Sequence, residues 1–177
     1  MYGPDDVQPV NRSEAELDDP NPLAALYQNR VSAKTFSKDE PRETTIPAYM
    51  GLIRQIDDQL GILFDFMEQK DLLKDTMIVF TSDHGDYFGD HWMGDKDFFH
   101  DPAVKVPLII ADPDPSCDNT RGSVQNAPVE AIDLVPTFIE YAGGAVPKHI
   151  LDGRSLMPLL QGNDVPWREF VVSEYDY

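Results

Sequence analysis

Met77-Ile78-Val79-Phe80-Thr81-Ser82-Asp83-His84-Gly85-Asp86 is a short apolar run that ends in a carboxylate, an imidazole and a glycine. A continuous apolar run of this length, placed after a helix, reads as a buried strand of a parallel or mixed sheet. Layered α/β sheets gather their chemistry at the carboxyl ends of strands, so position alone singles out residues 81–96. Adjacent side chains on a continuing strand point to opposite faces. For Asp83 and His84 to meet one ion the chain must turn, and Gly85 permits that turn. A carboxylate with an imidazole is a partial site for a divalent metal. The plain alternative is a turn in which Asp83 caps local N–H groups and His84 is half exposed. Asp90-His91 and Lys96 lie close by in the sequence, and Lys96 is the cation an anionic group needs beside a metal.

Working outward, Tyr49, Leu52, Ile53, Ile56, Leu60, Leu63, Phe64 and Met67 recur in steps of three and four, which predicts an amphipathic helix over 45–70 lying on another layer. Pro47 then falls in its first turn, where a missing N–H costs least. Arg54, Gln55, Asp58, Asp65 and Glu68 take the opposite face. On the other side of the motif, residues 106–111 repeat the buried-strand pattern, with Pro107 near the start. A loop follows over 112–125, then a helix over 131–142 ended by Gly143-Gly144, and a short helix over 155–160. Phe170-Val171-Val172 reads as a last strand, running into Ser173 to Tyr177 with no terminating signal, which suggests truncation. This rhythm predicts an α/β layered domain over 44–177. Residues 1–43, rich in Pro, Asp, Glu and Asn, read as an irregular entry segment.

The 177 residues suit one domain, and a hydrophobic content of 41% suits a packed core. The formal net charge of −18 argues against nucleic-acid binding, which needs clustered Lys and Arg. It would also repel an anionic substrate unless a metal and a well-placed cation reverse the field locally. Cys117 stands alone, so no internal disulfide forms. No apolar run approaches transmembrane length, and Met1-Tyr2-Gly3-Pro4 opens no signal sequence, which favours a cytoplasmic protein. An oligomer is compatible with the sequence.

Residues 77–96, with Val106-Pro107-Leu108-Ile109-Ile110, resemble the sulfatase family of the alkaline phosphatase superfamily. The nearest flavour is the branch of arylsulfatases and phosphonate monoester hydrolases. The likeness extends through Tyr49-Met50-Gly51-Leu52-Ile53, Asp57-Asp58-Gln59-Leu60-Gly61, Gly89-Asp90-His91, Asp95-Lys96, Glu130 to Thr137 and Asp152-Gly153-Arg154-Ser155-Leu156. The resemblance implies a partial alkaline-phosphatase-like sandwich, a mixed sheet flanked by helices. It further implies metal-dependent hydrolysis of small sulfate esters, or of phosphonate or phosphodiester relatives. Asp83 and His84 would bind the metal, and Lys96 would contact a non-bridging oxygen of the substrate. His91 is assigned either to the rim of the site or to loop packing. Asp57 and Asp58 read as helix-surface groups, and Asp133 and Arg154 as structural. The imidazole of His84 leans the metal toward Mn or Zn. Most ligands would come from elsewhere, so one divalent ion is expected, Mn or Ca ahead of Zn or Mg.

The resemblance also implies a nucleophile, a cysteine converted to formylglycine or a serine, in a Cys/Ser-x-Pro/Ala-x-Arg motif of the amino-terminal part. Cys117-Asp118-Asn119-Thr120-Arg121 has the right ends, but Asn119 replaces Pro and the motif follows the Asp-His pair, so it is rejected. The expectation is a carboxyl-terminal portion of a sulfatase-type hydrolase, nearly inactive in isolation. A non-catalytic acidic interaction module built on the same fold is the competing reading.

Overall fold

The computed structural model describes residues 2–174; Met1 and the stretch 175–177 beyond the expected last strand lie outside it. The chain forms two compact units. One runs to Lys70 and resumes over Thr81–Leu108, and the other holds Asp71–Phe80 and everything from Ile109 onward.

In the first unit, the segment expected to be irregular carries helical turns: Pro4–Asp6, then α1 (Ala15–Asp18), α2 (Pro22–Gln28) and α3 (Val31–Phe36). Local chemistry explains α2, where the Asn21 side chain accepts from the Leu23 N–H at 2.9 Å and Pro22 opens the helix. The long helix α4 runs Asp39–Gln69, starting earlier than its apolar stripe suggests. Asp39 and Glu40 complement the positive end of the helix dipole in the first turn. Arg42, buried, then ties that turn down. Its Nε donates to the Phe88 carbonyl at 2.8 Å, a second nitrogen reaches the Gln8 carbonyl at 3.4 Å, and Asp39 lies 3.8 Å away. Pro47 consequently sits inside the helix and cannot donate to the Glu43 carbonyl, a defect of about 3 kcal/mol that the anchored first turn and the long helix beyond it outweigh. The helix was legible, but the layer expected beneath it is not among the described residues: from Gly51 to Lys70 all residues are exposed except Leu60 and Met67.

The apolar core of this unit surrounds the site segment instead. Tyr87, Met93 and Ala103 are buried together, with Ala24 and Phe98 packed on them. Tyr27 meets Phe98 edge to face at 4.6 Å, and Arg30 lies over Tyr27 while pairing with Asp97. The short helices of the entry segment thus form the wall against which residues 87–103 pack.

β1 (Ile78–Thr81) pairs with β2 (Leu108–Ala111) in a two-stranded sheet whose residues, except Thr81 and Leu108, belong to the second unit. Both strands fall where the apolar runs put them. Neither is buried, because a two-stranded sheet has no further strands to cover it; Phe80 and Ile109 are exposed. Residues 170–172, expected as a strand, have no regular structure, and Phe170 and Val172 face solvent. The expected helix over 131–142 is a turn, Ala131–Asp133, leading into α6 (Leu134–Tyr141), and Gly143 ends it with φ +76°. The short helix over 155–160 is α7 (Met157–Leu160); α5 (Asp101–Val104) belongs to the first unit. No helix among the described residues is long and apolar enough to cross a membrane.

Asp133 is the hub of the second unit, with no solvent exposure. Its carboxylate accepts from both arms of Arg168 (2.6 and 3.0 Å), from the Glu130 N–H (2.8 Å) and from the Arg154 N–H (2.7 Å). Its carbonyl takes the Thr137 hydroxyl, which in turn accepts from the Leu156 N–H at 2.8 Å. Two of the three partners of the carboxylate are backbone amides of other segments, so the structural reading of Asp133 and Arg154 fits this geometry. Arg168 carried no sequence signal. Removing one member of a buried ion pair leaves the other charge uncompensated. Arg168→Met should therefore lower the unfolding free energy by about 3–5 kcal/mol in urea denaturation, because the fully buried Asp133 loses its cation, whereas Asp133→Ala leaves Arg168 paired with Glu130 at 2.6 Å.

Candidate active site

Asp83 and His84 leave the end of β1 and meet: His84 Nε2 lies 3.3 Å from Asp83 Oδ2. Lys96 Nζ lies 2.8 Å from the same Nε2. The other ring nitrogen, Nδ1, is 2.8 Å from the Gly85 carbonyl, an acceptor only, so Nδ1 carries the proton and Nε2 presents its lone pair. Ligating imidazoles have this arrangement, one nitrogen tied to a carbonyl and the other free for an ion. Asp83 is 84% exposed. Hydrogen bonds from its own N–H and that of His84 hold its carboxyl below the usual carboxylate range, with His84 and Ser82 adding to the effect. Ser82 also donates its hydroxyl to the His84 carbonyl at 3.0 Å, stiffening the turn.

Gly85 is needed for a different reason than the sequence suggested. Its φ is not positive; it is space that is short. Its N–H donates to the Ala103 carbonyl at 2.8 Å, and a Cβ there would lie 1.8 Å from the Pro102 carbonyl oxygen. Beyond it the chain doubles back. The Tyr87 N–H bonds the Asp95 carbonyl (3.0 Å) and the Gly89 N–H bonds the Met93 carbonyl (2.8 Å), which returns Lys96 to His84. The return is made on uncommon backbone: Phe88, His91, Trp92, Asp95 and Phe98 all have positive φ. Asp86, in the same hairpin, has its carboxyl raised by burial and secondarily by Asp95.

His91 is placed in loop packing. Its Nδ1 lies 2.9 Å from Glu16 Oε1, its N–H donates to the Asn11 carbonyl, and its ring stacks on His100 at 4.1 Å. Trp92 donates its indole N–H to the Ser13 carbonyl at 2.7 Å with Arg12 over the ring, and Asp90 accepts from the Asn11 N–H. Residues 11–16 therefore pin the tip of the hairpin. Burial pushes Tyr87 up to about 12, so its hydroxyl stays protonated, 2.9 Å from His100 Nδ1. His100 is held below the usual imidazole range, by burial first and then by His91. For Glu16, burial raises the carboxyl, but bonds from His91 and the Ser13 N–H outweigh it and the net shift is downward. Of the four residues expected at the site, the structure brings together Asp83, His84 and Lys96. The Glu16–His91–His100–Tyr87 chain escaped notice because its members are scattered singly through the sequence.

A family model described as Sulfatase matches residues 18–145. The chain belongs to the sulfatase family. This sulfatase-family chain is 36% identical over 147 residues to the multifunctional alkaline phosphatase superfamily protein PehA of Trinickia caryophylli, matching 82% of the chain and 28% of that protein. It is 28% identical to the arylsulfatase of Clostridium perfringens, over 89% of the chain and 35% of the relative. Among solved structures, the phosphonate monoester hydrolase of Silicibacter pomeroyi superposes with a TM-score of 0.81 at 31% identity, covering 96% of this chain and 35% of that one. The α/β class and the alkaline-phosphatase-like fold are thereby shown, and the chain spans about a third of the length of the relatives it matches.

Two expectations follow. Gly85→Ala should destabilise the chain by about 3 kcal/mol, as a forced overpacking does, and broaden the His84 ring signals in NMR. Protonating His100 costs the folded state, because its folded pKa is depressed. Stability from this group is complete above the ordinary imidazole range and is lost as pH falls through the folded value. Thermal melts from pH 8 to pH 5 should fall more steeply for wild type than for His100→Gln.

Proposed function

We propose that this chain contributes to the metal-dependent hydrolysis of sulfate esters. The observation that carries the reading is the convergence of Asp83 Oδ2 and Lys96 Nζ on the open lone pair of His84 Nε2. The donor set suits a divalent ion: an ionised carboxylate, and an imidazole whose protonated nitrogen is already engaged by the Gly85 carbonyl. It is half of such a site, since no group of three or more His, Cys, Asp or Glu able to hold a metal occurs among the described residues. An ion of this kind, when bound, polarises the ester oxygen and favours the ionised nucleophile.

The work of the chain's own groups is distinct from that. Gly85 and Ser82 orient Asp83 and His84. Lys96 now lies on the lone pair that ligation requires, so it must release His84, and its ammonium is then free to pair with a non-bridging oxygen of an anionic ester. That local positive charge offsets the repulsion from a protein of formal charge −18. No Cys/Ser-x-Pro/Ala-x-Arg segment occurs within these 177 residues.

A phosphonate monoester substrate is the second reading. The similarity to the phosphonate monoester hydrolase structure and to a relative named as multifunctional favours it. Sulfate and phosphonate esters share a tetrahedral anionic centre that Asp83, His84 and Lys96 would serve equally.

Calorimetric titration of the chain with Mn should show weak binding that Asp83→Ala abolishes; no heat with the wild type would sink the retained site. Lys96→Met should tighten Mn binding by up to about tenfold, by removing a competitor and a like charge near the surface. In a complete enzyme carrying this segment, the same substitution should cut turnover of aryl sulfate, or of phenylphosphonate ester if the second reading holds, by roughly 100-fold or more.

A further inference from the structure

Two imidazole rings lie face to face where the entry segment grips the site hairpin. His91 and His100 stack with centroids 4.1 Å apart and planes 16° from parallel. Each is engaged at Nδ1, His91 by Glu16 Oε1 and His100 by the Tyr87 hydroxyl, both at 2.9 Å. The Tyr87 ring meets the two imidazoles edge-on, at 6.3 and 5.7 Å. The titratable groups facing the stack are thus Glu16 from α1 and Tyr87 from the hairpin, with Asp97 acting on Tyr87. Nearby charges are turned elsewhere: Arg12 to Trp92 and Asp39, and Asp101 to Lys105.

The stack belongs to a clasp. Asn11 accepts from the His91 N–H and donates its own N–H to Asp90, while the Ser13 carbonyl takes the Trp92 indole. Glu16 supplies one negative charge to two rings. One proton on the stack is therefore neutralised. A second puts like charges about 4 Å apart, and the protonated Tyr87 hydroxyl offers nothing to offset them. We propose that the clasp is an acid-sensitive latch, in which a second proton on the stacked His91–His100 pair parts the rings and releases residues 11–16 from the hairpin tip. His100 is held below the usual imidazole range in the folded protein, by burial and then by His91. The latch is therefore closed above that range and opens as pH falls through the folded value. Glu16 is held low on balance and keeps its charge across that window. Lys96 returns to His84 along the same hairpin, so for the site the latch matters only under the proposed function; the release itself does not depend on it.

Proton–nitrogen NMR of the 177-residue chain from pH 8 to pH 5 tests this, because the two tryptophans report on different places. The Trp92 indole N–H is bonded to the Ser13 carbonyl and that of Trp167 to the Pro128 carbonyl. The Trp92 indole signal should shift and broaden as the pH falls, while that of Trp167 stays. His100→Gln should lower the midpoint by at least about half a pH unit, because the stack then carries a single proton that Glu16 neutralises. Glu16→Gln should raise it by a similar amount, and His149→Gln, in the second unit, should leave it unmoved. A Trp92 signal constant to pH 5 overturns the latch. Simultaneous loss of both indole signals overturns it too, being general unfolding, as does a midpoint that His100→Gln leaves in place. The wild-type titration and His100→Gln decide the matter even where Glu16→Gln fails to fold.

Discussion

The contact between Gly85 and the backbone of Pro102 and Ala103 is the constraint on which the site unit depends. A hydrogen-bonded approach that leaves no room for a β-carbon fixes the start of the hairpin against its end. From that closure follow the orientation of the Gly85 carbonyl, the tautomer of His84 and the return of Lys96. Weakening it would not remove a functional group, yet it would loosen all three at once. Positional tolerances at such sites are a fraction of an ångström, so backbone contacts of this kind matter as much as the ligands.

Much of this was legible in the sequence, and the reasons are local. Apolar runs placed β1 and β2, helical spacing placed α4 and α6, and Asp83-His84 was marked by its position at a strand end. What escaped was decided by partners distant in the chain. The turns at residues 4–36 have little periodicity of their own and are held by Arg12, Arg30 and Arg42 reaching across the unit. The same long reach moved the start of α4 back to Asp39 and left Pro47 inside it. Gly85 was singled out correctly but for its backbone freedom, when crowding is what demands it. Periodicity also predicts only that an apolar face wants cover; it does not say what provides it.

Charge organises the two units differently. In the second, Asp133 and Arg168 neutralise each other away from water, and backbone amides finish the carboxylate's bonding. The arrangement locks segments together and offers nothing to a ligand. In the first, the charges of Asp83 and Lys96 stand near the surface and share a single imidazole nitrogen. An exposed cluster of this sort contributes little to folding.

The left-handed residues of the hairpin carry an evolutionary corollary. Phe88, His91, Trp92, Asp95 and Phe98 each hold a conformation that glycine or asparagine would adopt at less cost. Selection for robustness alone would drift these positions toward the smaller residues. The rings of His91, Trp92 and Phe98 oppose that drift, because each bonds or packs against a segment far away in the chain, Glu16, Ser13 and Tyr27 respectively. The hairpin therefore sits at a trade-off in which the mutations that relax its backbone also unfasten it, and variation in this lineage should be slower here than on the solvent-facing helices.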